Sequence, residues 1–308
     1  MILLLTGCLT LDTMVHSPRH CSIVSPETCD KDVWDRVCDT CEDPYDWQRE
    51  YEWMPETLAE GETVRPIPDE AITRAPLVTD DGEGELDLYI IEGHGENPVF
   101  AGITVLYNHG NYAGIEHYAV RVRYLYEAGF DIVVWDYRGY GKSEPPSAPT
   151  AEEFLADARQ VVDHVVDDLG VPQSSLVLYA NSLGAIPATE QSLYRPGRAT
   201  FLEVPYPGQE RAQLSNTTLS MPATFLTSGL YENTEKIRDY TGPLLVMGGT
   251  EDSFFSPTDL QTFVDNAGGP AELWMLEGVH HGISDGGVPE AGLTAYIERM
   301  EDFLETSR

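Results

Sequence analysis

The residues able to do chemistry in this chain sit at the ends of apolar runs. Ser182 lies in Ser175–Gly184 (SLVLYANSLG), where an apolar run leads straight into helix-forming residues. Small residues, Ala180 and Gly184, stand two before and two after it, leaving room for a strand and a helix to approach there. The N–H of Leu183 falls at the helix start, where unpaired amides favour an anion. Further on, Pro243–Met247 leads to Gly248-Gly249-Thr250-Glu251-Asp252-Ser253, and Glu272–Leu276 leads to Glu277-Gly278-Val279-His280-His281-Gly282. A hydroxyl, a carboxylate and an imidazole at successive strand ends are the parts of nucleophilic acyl transfer.

The elements that must carry these residues are strands alternating with helices. Leu86–Glu92, Ile103–Tyr107, Asp131–Trp135, Ser175–Ala180, Ala199–Glu203, Pro243–Met247 and Glu272–Leu276 read as strands. Several are unbroken apolar runs, which suits strands covered on both faces of a parallel sheet. The clearest helix starts at Thr150, since Thr150-Ala-Glu-Glu153 has the form of a capping box. Phe154, Leu155, Ala158, Val161, Val162, Val165, Val166 and Leu169 follow the helical period, and Gly170 ends it. This alternation predicts a doubly wound α/β fold with a mostly parallel sheet.

The Ala180–Gly184 turn resembles the nucleophile elbow of the α/β-hydrolases, with alanine at the usual first glycine. Leu106–Gly114 (LYNHGNYAG) resembles the HGN loop of that superfamily, and Trp135–Ser143 (WDYRGYGKS) resembles a strand-end loop found in many of its members. The resemblance covers roughly residues 77–306, in four ordered motifs. It implies the chain order serine, acid, histidine, hence Ser182 as nucleophile, Asp252 as acid with Glu251 the alternative, and His281 as base with His280 the alternative. Gly278 and Gly282 flank His281 as the superfamily's pattern requires. The oxyanion donors implied are the backbone amides of Asn111 and Leu183, with Tyr112 a lesser choice. His109 is expected to fix backbone geometry, and Asp136 and Arg138 to pin their loop.

Within the superfamily the motifs look like the branch of membrane-associated lipases, lysophospholipases and depalmitoylases. The resemblance implies hydrolysis of a small-molecule carboxylic ester or thioester through an acyl-enzyme, without metal or organic cofactor. A compact insertion, 204–241, is expected to lie over the serine and form the acyl pocket. Two other readings remain. One is a serine peptidase of the same fold, with Glu203, Glu210, Glu232 and Glu235 as a cluster for a peptide terminus. The other is a non-catalytic binding protein.

Lys plus Arg total 18 against 52 Asp plus Glu, a formal net charge of −34. Such a chain is repelled by phosphate backbones, which excludes nucleic acid as a partner. Residues 1–8 end in Leu5-Thr6-Gly7-Cys8, which resembles a bacterial lipobox and predicts an exported protein anchored to a membrane through acylated Cys8. Cys21, Cys29, Cys38 and Cys41 cluster in the segment 9–76, and four clustered cysteines in an exported chain predict two disulfides of open connectivity. Residues 77–308 are expected to form the hydrolase domain, with the cysteine-bearing extension packed upon it.

Overall fold

In the computed structural model, residues 12–24, 41, 43–48, 63–208, 228–282 and 287–307 are described. The centre is an eight-stranded sheet in the order β1-β4-β6-β5-β7-β8-β9-β10. From β6 onward all neighbours are parallel: β6 (Asp131–Trp135), β5 (Thr104–Asn108), β7 (Leu176–Asn181), β8 (Ala199–Glu203), β9 (Leu244–Gly249) and β10 (Ala271–Leu276). Every residue of β5, β7, β8 and β9 is buried, as the unbroken apolar runs require of strands covered on both faces.

Alternate side chains feed two cores. Val105, Tyr107, Tyr179, Phe201, Leu245 and Met247 face α1 (Ala119–Ala128) and the C-terminal helix, Leu293–Thr306. Leu106, Leu178, Ala180, Leu202, Leu244 and Val246 pack against residues of α2 (Ala151–Asp163), α3 (Ala185–Tyr194) and α4 (Pro257–Asn266). The capping box of α2 is formed in both directions: Glu153 N donates to Thr150 Oγ1 at 3.2 Å, and Thr150 N donates to Glu153 Oε2 at 2.6 Å. The α-helix proper stops at Asp163. Its last turn, His164–Asp168, widens, so that Leu169 N reaches His164 O at 3.0 Å, five residues back, before Gly170 turns the chain at φ 73°.

The near edge differs from expectation. Leu86–Glu92 is not one strand: β3 (Glu85–Leu86) pairs with β2 (Leu77–Val78), whereas β4 (Leu88–Ile91) joins the main sheet antiparallel to β6. The break falls at Asp87, whose amide donates to Ser143 Oγ at 2.7 Å and whose carboxylate meets Arg74 at 2.5 Å. Burial and the neighbouring Asp136 push that carboxyl up to about 6. The main sheet also starts ahead of residue 77, because β1 (Ile72–Arg74) pairs with β4.

The N-terminal extension packs on both faces. Tyr45, Trp47 and Ile67 join the core around Tyr89, and Cys21 is disulfide-bonded to Cys41. Cys8, Cys29 and Cys38 lie outside the described residues. His16 inserts among Tyr140, Phe154 and Tyr231, with its Nε2 at 3.0 Å from the Tyr231 hydroxyl.

Burial lowers the His16 pKa from 6.5 to about 4. Below pH 6.5 the unfolded chain therefore takes up a proton that the folded chain refuses. This part of the stability is complete above 6.5 and is lost as pH falls toward 4. Relative to His16→Phe, which keeps a ring but cannot titrate, the native protein should lose about 2 kcal/mol between pH 7 and pH 5 in urea unfolding. Parallel pH curves for the two proteins would show that His16 does not titrate as its burial dictates.

Candidate active site

Ser182 stands at the junction of β7 and the helical turn leading into α3, with φ 52°, left-handed backbone that a non-glycine residue adopts only when its surroundings hold it there. The small neighbours are explained by contact. A Cβ on Gly184 would lie 2.1 Å from the carbonyl oxygen of Asn108, so only glycine lets the helix start pass so close to β5. Ala180 is fully buried between Asn108 of β5 and Leu202 of β8, where a methyl group fits.

The acid and histidine loops are bound together. A Cβ on Gly249, at the end of β9, would meet Val279 O at 1.9 Å, and Gly278 N donates to Thr250 Oγ1 at 2.9 Å. These contacts bring Asp252 Oδ2 to 2.8 Å from His281 Nδ1, while His281 Nε2 lies 3.0 Å from Ser182 Oγ. The other Asp252 oxygen accepts the amides of Phe254 at 2.7 Å and Phe255 at 3.0 Å, which fixes the carboxylate plane. Both phenyl rings pack on the His281 imidazole, at centroid distances of 4.7 and 5.3 Å. Hydroxyl, imidazole and carboxylate thus form one hydrogen-bonded chain, able to pass a proton from oxygen to imidazole while the carboxylate holds the ring.

The alternatives fall outside this chain. His280 is exposed, with Nδ1 at 3.1 Å from Glu251 O. Glu251 is exposed as well. Tyr112 N donates to the Tyr118 hydroxyl at 3.1 Å and so is committed elsewhere. Asn111 and Leu183 both line the cavity beside Ser182. His109 is fully buried under this loop, stacked on Tyr137, with its Nδ1 at 2.7 Å from Gly110 O. Asp136 Oδ1 accepts the Ile115 amide at 2.8 Å, and Arg138 grips Asp157 with two bonds of 2.8 and 2.9 Å and Asp81 with a third of 2.7 Å. All three residues thus hold loops in place.

The cavity over Ser182 has a volume of about 570 Å³. The insertion 204–241 contributes Tyr206 to its wall, and residues 209–227 are outside the described part. The remaining wall is one the sequence did not announce: Val15 and Ser17 from the N-terminal extension, His117 and Tyr118 ahead of α1, and Phe254 and Phe255. The phenylalanines could have been found from their position directly after Asp252. Val15 and Ser17 carry no such signal. Among the described residues, no Asp, Glu, Lys or Arg lines the cavity.

Glu203, at the end of β8, is also placed differently from the expected peptide-binding cluster. It is fully buried and pairs with Arg121 at 3.2 Å, while its second oxygen accepts the Tyr179 hydroxyl at 2.8 Å. Burial by itself would lower the Arg121 pKa, but Glu203 raises it overall. Arg121 Nη2 also donates to Gly282 O at 3.1 Å, next to His281. Glu235 pairs with Arg238 at an exposed site, and Glu210 lies outside the described residues.

Fold and strand-end geometry together define the class: the chain has the α/β-hydrolase fold. The Serine aminopeptidase, S33 family model matches residues 102–204. The alpha/beta hydrolase domain-containing protein aho-3 of Caenorhabditis elegans is 24% identical over 207 residues, covering 66% of this chain and 57% of that protein. Among solved structures, the esterase Pf2001 of Pyrococcus furiosus superposes with a TM-score of 0.57 at 17% identity, over 77% of this chain and 92% of its own. Est1E of Butyrivibrio proteoclasticus, solved with ferulic acid bound, gives 0.59 at 18%, over 75% and 98%.

Glu203→Gln keeps the shape of the side chain but leaves Arg121 charged and buried without its counter-ion. Breaking such a pair costs about 3–5 kcal/mol, which urea unfolding should register. A loss below about 1 kcal/mol would mean that water reaches Arg121.

Proposed function

We propose that the chain is a serine hydrolase that cleaves carboxylic esters or thioesters through an acyl-enzyme. The observation that carries this reading is the Ser182–His281–Asp252 hydrogen-bond chain opening onto a cavity lined, among the described residues, by aromatic and other uncharged side chains. His281 Nε2 takes the Ser182 proton as the oxygen attacks the acyl carbonyl. Asp252 keeps the imidazole in the tautomer that presents Nε2 and stabilises the imidazolium. The amides of Asn111 and Leu183 receive the oxyanion of the tetrahedral intermediate. The imidazolium then protonates the leaving alcohol or thiol, and water, activated by the same imidazole, releases the acid.

The described walls, which carry no Asp, Glu, Lys or Arg, favour an apolar acyl group over a peptide terminus. An aminopeptidase-type reading, suggested by the description of the matching family model, needs a carboxylate facing the cavity to hold an amine. Glu203 is engaged by Arg121 instead. The lipobox-like Leu5–Cys8 supports export and lipid attachment of the same enzyme at a bacterial membrane. Mass spectrometry of the mature N-terminus tests this: an acylated Cys8 would sustain it, and a free, unprocessed Met1 would refute it.

A fluorophosphonate probe should label Ser182, mapped by peptide sequencing, and Ser182→Ala should lower kcat on short-chain p-nitrophenyl esters by about 10⁶-fold. Near-normal turnover in that variant would remove Ser182 from the mechanism. His281→Ala should fall comparably while His280→Ala stays within a few-fold of the native enzyme. Equal losses in the two would reject the assignment of the base.

A further inference from the structure

A strap of chain, residues 12–24, crosses the rim of the cavity, and its contacts converge on the Asn111 side chain. Ser17 N donates to Asn111 Oδ1 at 2.7 Å, and Asn111 Nδ2 donates to Val15 O at 2.7 Å. The side-chain amide thus pairs with the strap as one strand pairs with another, donor and acceptor both satisfied by backbone groups two residues apart. The Tyr140 hydroxyl donates to the same Oδ1. A residue that served only to offer a backbone N–H would need no particular side chain. Here the side chain is committed entirely to holding the segment that carries that N–H.

The strap is itself fixed at both ends. Upstream, Ser228 N donates to Asp12 Oδ2 at 2.8 Å, and His16 meets the Tyr231 hydroxyl. Downstream, Gly141 exchanges two backbone bonds with the strap, to Arg19 O at 3.0 Å and from Cys21 N at 2.7 Å. The Cys21–Cys41 disulfide then leads to Tyr45, whose hydroxyl donates to Asp136 Oδ2 at 3.1 Å. The other oxygen of Asp136 holds Ile115 N, at the far end of the loop that starts at Asn108. The N-terminal extension therefore grips this loop twice, at Asn111 and, through Asp136, at Ile115.

We propose that Val15–Ser17 is a positioning and specificity element of the active site: it clasps Asn111 so that the backbone N–H is fixed as an oxyanion donor, and it closes the acyl cavity with Val15 and Ser17. The kinetic consequence rests on the ester-hydrolase reading above, and the structural consequence rests on the hydrogen bonds alone. Losing one oxyanion donor costs about 10²–10³ in kcat, so loosening one costs less, on the order of 10-fold. The loss falls on kcat rather than KM, because the amide binds the transition state more strongly than the ground-state carbonyl. The His281–Asp252 pair is untouched, so the pH profile keeps its shape.

Two variants of the full chain test this with p-nitrophenyl esters of increasing acyl length. Asn111→Ala removes the clasp and keeps the backbone amide. Its kcat should fall about 10-fold or more at unchanged KM and pH profile, with Asn111→Asp, which retains the acceptor for Ser17 N, in between. Cys21→Ser/Cys41→Ser frees the strap far from Ser182, and should lower kcat and shift preference toward longer acyl chains. Should that variant not fold, reduction of the native protein with a phosphine loosens the same strap. Amide hydrogen exchange of residues 108–115 gives a readout independent of turnover, and should quicken in both variants. Unchanged exchange together with unchanged kcat and chain preference would overturn the proposal. If the native protein hydrolyses no ester, the ester reading fails, and faster exchange in 108–115 still sustains the clasp.

Discussion

The left-handed turn at Ser182 is the constraint around which the rest of the site is arranged. For the hydroxyl to stand clear of the sheet, β7 must reverse into a helix within one residue, and the helix start must graze the end of β5. That approach demands glycine at 184 and a small residue at 180, and it aims the first amides of the helical turn toward the space above the serine. The neighbouring strands answer the same geometry. β9 ends in glycine so that the acid loop can touch the histidine loop, and Asp252 is held by two amides while it holds His281. None of these contacts is strong alone, but each removes a freedom that a loose serine, histidine and aspartate would otherwise retain.

Much of this was legible in the sequence where a local demand leaves a residue-type signature. Fully buried parallel strands need unbroken apolar runs, so β5 to β9 could be read within one or two residues. A helix start needs its amides satisfied, so Thr150 and Glu153 marked α2. The near edge was harder. Ile72–Arg74 is short and exposed at two of its three residues, and its membership in the sheet rests on pairing with a partner strand rather than on any pattern of its own. The break at Asp87 depends on Ser143 and Arg74, which a one-dimensional reading cannot bring together. The Arg121–Glu203 pair was equally hidden, because a glutamate after a strand looks the same whether it turns to the cavity or beneath the sheet. Val15 and Ser17 enter the cavity wall through backbone hydrogen bonds, which leave no trace in residue type.

The charge distribution shows where an acidic chain places its few cations. Of the fifteen arginines implied by 18 basic residues with three lysines, several are spent inside. Arg121, Arg123 and Arg138 are all buried, and each bridges segments far apart in the chain. The planar guanidinium suits this task, since it can satisfy two or three oxygens at fixed angles where an ammonium cannot. Arg138 does so for Asp157 and Asp81, holding the loop after β6 against α2. Scarce positive charge thus goes to joining loops around the site, while the described residues of the cavity wall are uncharged.

The route of the strap also sets an order in time. Residues 12–17 are synthesised ahead of the segments they bind: Asn111 lies 94 residues beyond Ser17, and Ser228 lies 216 residues beyond Asp12. Contacts of such long sequence separation form late, because the intervening chain must be ordered before they repay its closure. The strap is thus made before the segments it binds and is expected to settle after them, so the wall formed by Val15 and Ser17 closes late. A chain that has assembled its sheet but not yet seated the strap would hold serine, histidine and aspartate in register while the space above Ser182 still lacks that wall.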